Sequence, residues 1–148
     1  MTMNTTDLLL WALRLAGVGQ LFIAVIYFWV RNILGWDADV ARLRPHNRAI
    51  AQTYARYIQT LNAAFGCLCL FTPQDLLAGT RLASAVTLLI GVYWLVRIIL
   101  QLTYYALREI TDQRKLYRYG HYAFGVLFAT QGVILLAACA YNVGWLTR

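Results

Sequence analysis

The fold of this chain is decided by residues 82–107, LASAVTLLIGVYWLVRIILQLTYYAL, in which Arg97 is the only charged side chain. A helix needs about 20 predominantly apolar residues to cross the hydrocarbon core of a bilayer, and this stretch exceeds that length. Three more stretches of the same character occupy residues 8–30, 49–71 and 122–146. The sequence therefore predicts an all-α fold, an integral membrane bundle of four transmembrane helices, with all 148 residues in one membrane domain.

The overall composition supports this interpretation. The chain is 61% hydrophobic and 13% charged, whereas a soluble domain usually carries about 25% charged residues. The apolar runs are continuous, unlike the alternating strands of a membrane barrel, so the spanning elements are predicted to be helices. The first stretch is predicted to be a retained helix rather than a signal peptide, because no Lys or Arg precedes it and it ends in Tyr27-Phe28-Trp29.

Basic residues are concentrated in two of the three connections between these stretches. The first and third connections of a four-helix bundle lie on the same side, so the positive-inside rule predicts that both are cytoplasmic and both termini outside. The same charge would attract anionic membrane lipids. It does not indicate nucleic-acid binding, since correct membrane topology alone produces this pattern. The basic residues are Arg31, Arg42, Arg44 and Arg48 in the first connection and Arg108, Arg114, Lys115 and Arg118 in the third.

Polar side chains inside the apolar stretches are the candidates for a site. Arg97, Gln101 and Tyr104 are spaced i, i+4 and i+7 and therefore share one helix face, and Arg56 and Gln59 share a face of the second stretch. No Asp or Glu lies in any of the four stretches. The arginines must therefore be stabilised by amides, carbonyls, hydroxyls, water or an external anion. The predicted ligand-binding set for an anionic group is Arg56, Gln59, Arg97, Gln101 and Tyr104.

The first and fourth stretches each carry one central glutamine, Gln20 and Gln131. Two interpretations of the central polar groups remain open. They form interhelical hydrogen bonds worth about 1 kcal/mol each, or they line a polar cavity that admits a ligand. Arg56 also lies near enough to a helix end for its side chain to reach the membrane interface, which is a purely structural role.

No catalytic, metal or cofactor site is predicted. The three cysteines lie inside apolar stretches without the spacing of metal ligands or of a disulfide framework, and are interpreted as packing residues. His46 and His121 lie near the predicted cytoplasmic edge and are interpreted as interfacial side chains rather than haem ligands. No nucleophile with a nearby base and no phosphate-binding glycine loop occurs. The cysteines are Cys67, Cys69 and Cys139.

Two segments carry a resemblance to a known group of proteins. They are RLRPHNR at residues 42–48, which leads into Tyr54-Ala55-Arg56-Tyr57, and YWLVRIILQ at residues 93–101. Together they resemble uncharacterised small bacterial inner-membrane proteins with four transmembrane helices. The resemblance implies a bacterial inner membrane as the location and carries no activity.

A weaker likeness is to the membrane-associated eicosanoid and glutathione metabolism proteins, which are four-helix trimers of about this length. Arg97 followed by Tyr104 is similar to their third helix, and Asn47 is similar to an asparagine of their second helix. Those proteins typically place a glutamate shortly after that asparagine, where residues 50–52 of this chain are Ile-Ala-Gln. The resemblance would imply a glutathione-type transferase.

The leading functional expectation is a non-enzymatic structural or accessory membrane protein that self-associates as a homo-oligomer or joins a larger membrane complex. The alternative is a ligand-handling membrane protein, transporter-like or a glutathione-type transferase, that binds an anionic group through Arg97 and Arg56. The two differ in one structural respect. The alternative gains support if both arginines face one wet cavity open to lipid or cytoplasm, and it fails if carbonyls and amides cap them in a packed bundle.

Overall fold

The computed structural model describes residues 4–104 and 115–146, and the regular secondary structure within those ranges is entirely helical. The predicted all-α class is therefore confirmed. Four long helices alternate with short connecting helices along these ranges. They are α1 (Thr5–Ile33), α2 (Trp36–Ala41), α3 (Pro45–Phe71), α4 (Pro73–Leu76), α5 (Arg81–Tyr104) and α6 (Lys115–Asn142).

Local sequence signals account for most helix boundaries. Asn4 caps α1, since its side-chain oxygen accepts from the amide of Thr5 at 3.0 Å. The turn after α1 needs a left-handed residue, and Gly35 supplies it with φ 66°. Proline is tolerated in the first helical turn, where its missing N–H costs nothing, and Pro45 begins α3 in that way. Pro73 opens α4 directly after α3 ends.

The last long helix differs from the predicted 122–146. It begins at Lys115 and continues through Gly120, because a single glycine inside a helix costs only about 1 kcal/mol relative to alanine. It ends at Asn142, since Gly144 has φ 82° and turns the chain. The predicted end of the third stretch at residue 107 lies outside the described residues, as do Arg108 and Arg114 of the third connection.

Three of the described helices are long and apolar enough to cross a membrane, which makes the chain a multi-pass membrane protein. These are Thr5–Ile33, Arg81–Tyr104 and the Arg118–Asn142 portion of α6. The helix α3, predicted at 49–71 as a further span, forms with a length of 27 residues but is not among the three. Its amino-terminal half carries Arg48, Arg56 and several amides and hydroxyls, which lower its hydropathy.

The four long helices pack as two antiparallel hairpins. The helices α1 and α3 form one, α5 and α6 form the other, and a contact of α1 with α6 joins them. The α1–α3 approach is close enough that a Cβ on Gly17 would lie 2.7 Å from the Leu70 amide nitrogen and 2.8 Å from the Gly66 carbonyl oxygen. Glycine is therefore required for this packing, as small residues are at many membrane helix interfaces.

Side-chain contacts define which ends of the helices lie together. The hydroxyl groups of Thr6 and Tyr141 are 2.8 Å apart, and the amides of Gln20 and Gln131 meet further along. The helices α1 and α6 are therefore antiparallel. It follows that both ends of the described chain lie at one end of the bundle, while α2 and the start of α6 lie at the other.

Candidate functional site

A buried amide pair joins the two hairpins at the middle of the bundle. The Nε2 group of Gln20 donates to Oε1 of Gln131 at 3.2 Å, and the two side chains are 0% and 1% exposed. The same Nε2 lies 3.6 Å from the sulfur of Cys69 on α3. An amide in an apolar interior is costly unless it is hydrogen-bonded. The two central glutamines predicted from the sequence therefore bridge helices.

Two further polar contacts join other helix pairs. The hydroxyl of Tyr93 on α5 donates to Oδ1 of Asn62 on α3 at 2.9 Å. Gln101 on α5 is buried and donates through Nε2 to the carbonyl oxygen of His121 on α6 at 2.7 Å. Each contact gives a polar group a hydrogen-bond partner, which the lipid tails could not provide. The helices are therefore held together by specific hydrogen bonds as well as by apolar packing.

Removing the amide pair should destabilise the bundle in a non-additive way. Gln20→Leu leaves Gln131 with a buried acceptor and is expected to lower the free energy of unfolding by about 1–2 kcal/mol. Gln131→Leu should cost a similar amount, while the double variant should cost less than the sum because no amide is left unpaired. Denaturation of the detergent-solubilised protein, followed by circular dichroism, measures all three. Strict additivity of the two single effects would contradict the bond.

Asn142 is a polar residue of the interior that sequence reasoning missed. It is 5% exposed, and its Nδ2 donates to the carbonyl oxygen of Leu76 at 2.7 Å while its Oδ1 accepts from the amide of Gly79 at 3.0 Å. The side chain thus ties the end of α6 to the chain between α4 and α5. Both partners are backbone groups more than 60 residues away in the sequence, so they could not be recognised from it. The one local signal for such a contact was an asparagine at a helix end.

A groove opens where the end of α1, the helix α2 and the first half of α3 meet. Its volume is about 470 Å³. Aromatic residues and Ala55 form its apolar walls, and polar side chains come from both long helices. The aromatic members are Tyr27, Phe28 and Trp36, and the polar members are Arg31, Gln52, Arg56, Gln59 and Thr60.

Of the two arginines that line this groove, one has an ion-pair partner among the described residues and the other does not. Arg31 forms an ion pair with Asp37 of α2. Arg48, outside the groove, donates to the carbonyl oxygens of the last residues of α2 and the residues after it, Val40, Ala41 and Leu43. Among the residues that the structure describes, none forms a hydrogen bond or an ion pair with the Arg56 guanidinium. The groove therefore holds one positive charge that the described chain does not neutralise.

The five residues predicted as a ligand-binding set lie in two different parts of the structure. Arg56 and Gln59 line the groove, whereas Arg97, Gln101 and Tyr104 are not among its lining residues. The Arg97 guanidinium lies 4.7 Å from the centre of the Phe128 ring on α6, a cation–π contact. Gln101 bonds to α6, and Tyr104 is 78% exposed. A site that uses all five together stays a prediction.

Candidate metal ligands are dispersed over the described ranges. Within residues 4–104 and 115–146, no group of three His, Cys, Asp or Glu side chains is close enough to hold a metal ion. The three cysteines are free thiols, exposed at Cys67, buried at Cys69 and half-buried at Cys139. Cys139 directs its thiol at the carbonyl oxygen of Ser84 at 3.5 Å, which is a packing contact between α5 and α6.

The helices and their polar interior define the class of this protein as a multi-pass, all-helical membrane protein. No protein-family model, curated protein or solved structure matches the chain. The resemblances to small bacterial inner-membrane proteins and to the eicosanoid and glutathione metabolism proteins therefore remain expectations from the sequence.

Proposed function

We propose that this protein is a non-enzymatic accessory component of a membrane, a bundle that self-associates or joins a larger membrane complex. The observation that carries this proposal is the hydrogen bonding of the central polar groups to one another or to backbone. Gln20, Asn62 and Gln101 each bridge two helices instead of lining an open cavity. A transport or catalytic core would need such groups to face its ligand.

The proposal includes α3 as a fourth transmembrane span. At 1.5 Å per residue its 27 residues extend about 40 Å, enough to cross the hydrocarbon core. Its packing along α1, itself long and apolar enough to span, supports this assignment. With the basic ends of the helices in the cytoplasm, both termini lie outside. The membrane proposed is a bacterial inner membrane.

A continuous apolar stripe on α1 is the surface at which we propose that a second copy packs. Large apolar residues repeat along it at alternating spacings of three and four, the pattern that packs one helix on another. The stripe lies opposite the buried face that contains Leu13, Ala16 and Gln20. Two copies that pack through this stripe would be related by a two-fold axis, the commonest symmetry of homodimers. The stripe residues, 51–72% exposed, are Leu8, Trp11, Leu15, Val18, Phe22, Val25 and Trp29.

Native mass spectrometry of the full chain from mild detergent tests this proposal. We expect a dimer, or a complex with a co-purified subunit, and a shift to monomer in the double variant Leu15→Ala/Phe22→Ala. The matched control is Leu89→Ala/Leu102→Ala, which removes two exposed apolar residues from α5 and should leave the assembly intact. A wild-type protein that is monomeric and carries no other subunit would contradict the proposal.

The second candidate is a ligand-handling protein that binds an anionic group, transporter-like or a glutathione-type transferase. The observation that favours binding of an anion is the groove that contains Arg56 and Gln59. Arg97 lies instead against Phe128, so the groove supports anion binding at one of the two arginines.

A further inference from the structure

We propose that the groove between α1, α2 and α3 binds the headgroup of a monoanionic phospholipid that carries a free hydroxyl, as phosphatidylglycerol does. The inference rests on the proposed placement of α3 in the membrane. It goes beyond the accessory role because it assigns a ligand, a leaflet and the side chains that recognise the headgroup. The leaflet is the one on the α2 side of the bundle.

The position of the groove matches that of lipid headgroups. Its α1 wall comes from the last turns of a helix that is long and apolar enough to span, and its α3 wall begins two turns into that helix. The bilayer interface follows the end of such a span. Tyr27 and Trp36, which line the groove, are of the amphipathic aromatic type enriched at that depth. A headgroup there would not need to leave its leaflet.

The charge of the groove matches one phosphodiester. Two guanidinium groups line it, but Arg31 is paired with Asp37 of α2. Asp39, the other acid of α2, lies next to Arg42, 3.9 Å away. Arg56 is left as the one cation of the groove that no described acid pairs with. A phosphodiester carries a single negative charge and two free oxygens, which a guanidinium can bind in a bidentate fashion.

An unsatisfied acceptor in the groove wall favours a headgroup that also carries a hydrogen-bond donor. The Oε1 atom of Gln59 is buried and has no hydrogen-bond partner among the described residues. A buried acceptor of this kind destabilises the structure unless a donor reaches it. Gln59 lies one turn beyond Arg56 on the same face of α3. A hydroxyl on the headgroup, next to the phosphodiester, would supply that donor once the Gln59 amide turns toward the groove, since its Oε1 atom has almost no accessible surface in the structure.

The side chains next to Arg56 and Gln59 complete the surface that would recognise the headgroup. Gln52 precedes Arg56 by one turn, and Thr60 follows it by one turn, so α3 presents a polar ladder along the groove. The apolar wall opposite includes Phe28, which is 58% exposed and continues toward the lipid-facing surface of α1. Such a wall suits the glycerol backbone and the first methylenes of the acyl chains. The polar ladder and this wall together fit an amphiphile better than a free phosphate ion.

Titration of the detergent-solubilised full chain with dioleoyl phosphatidylglycerol, read by native mass spectrometry, tests the inference. We expect retained lipid on the wild type. Arg56→Gln should bind this lipid at least tenfold more weakly, because a hydrogen bond to a charged group is worth about 1.5–3 kcal/mol. Gln59→Leu should also weaken binding, and by less. Arg14→Gln, which removes an arginine stacked on Trp11 outside the groove, is the matched control and should bind as the wild type does.

Competing probes distinguish the source of the anion. Dioleoyl phosphatidylcholine, which lacks net charge and a free hydroxyl, should not compete, and glycerol phosphate, which lacks acyl chains, should compete only weakly. Equal binding of phosphatidylcholine, full competition by glycerol phosphate, or unchanged binding by folded Arg56→Gln would each overturn the inference. If Arg56→Gln does not fold, Gln59→Leu decides in the same way.

The same spectra separate this inference from the proposed accessory role. Oligomeric state and bound lipid are read from different mass differences. A monomer that retains phosphatidylglycerol overturns the assembly proposal and leaves the lipid site standing. An oligomer whose lipid content is insensitive to Arg56→Gln and Gln59→Leu overturns the lipid site and leaves the assembly proposal standing.

Discussion

Gly17→Ala is expected to lower the free energy of unfolding by about 3 kcal/mol, the upper end of the usual cost of overpacking. The added Cβ would lie 2.7 Å from the Leu70 amide nitrogen and 2.8 Å from the Gly66 carbonyl oxygen. Both are backbone atoms of α3 and no rotamer change can move them. The helices α1 and α3 must therefore separate, and they are the walls of the groove. Chemical denaturation in detergent, followed by circular dichroism, measures the loss.

Two other glycines serve as controls for this substitution. Gly120→Ala adds a Cβ that meets nothing within 4 Å, so it should leave stability unchanged or raise it slightly through helix propensity. Gly66→Ala should fall between the two, because its closest neighbour, at 2.8 Å, is the flexible side chain of Leu21. Equal stabilities of the Gly17→Ala and Gly120→Ala variants would show that α1 and α3 do not approach as closely as described.

Most of the helical architecture could be predicted because its causes are local. Uninterrupted apolar runs predict helices in a membrane, and Gly35, Pro45 and Pro73 end or begin helices through their own backbone restrictions. One boundary that differs is the start of α6, predicted at residue 122 and found at Lys115, so that the helix continues through Gly120. A glycine permits a turn but does not require one, so its effect depends on the residues around it.

The side-chain partners were less predictable than the helices. Spacing correctly indicates that Arg56 and Gln59 share a face of α3, and both line the groove. It does not indicate how α5 is rotated relative to α3, because that rotation is determined by packing between α5 and α6. As a result Arg97 contacts Phe128 and Gln101 contacts α6. Residues on different helices thus cannot be assigned to one site from spacing alone.

The partners of Asn142 show a second limit of sequence reasoning. Its side chain bonds to the backbone of Leu76 and Gly79, and backbone groups carry no sequence signature. The turn they belong to is recognisable from Pro73 and from Gly79, whose φ is 70°. Nothing local connects that turn to the end of α6. The connection depends on the antiparallel arrangement of the bundle, which brings both to the same end.

Asn142→Leu is expected to lower the free energy of unfolding by roughly 2–4 kcal/mol. The substitution keeps the shape of the side chain but leaves the Leu76 carbonyl and the Gly79 amide without their side-chain partner. A buried polar group that loses its only partner costs about 1–3 kcal/mol, and here two are affected together. Thermal and chemical unfolding in detergent measure the loss. Protease cleavage between α4 and α5 should also accelerate, since the turn is no longer tied to α6.

The matched control for Asn142 is Asn32→Leu, the same exchange near the end of α1. Asn32 is exposed, and none of the hydrogen bonds found within the described ranges involves its side chain. Its replacement should change stability by less than about 0.5 kcal/mol, as is usual for surface positions. If the two leucine variants unfold alike, the contacts of Asn142 do not stabilise the bundle. If only Asn142→Leu is destabilised and only its turn is cleaved faster, the end of α6 holds the α4–α5 turn in place.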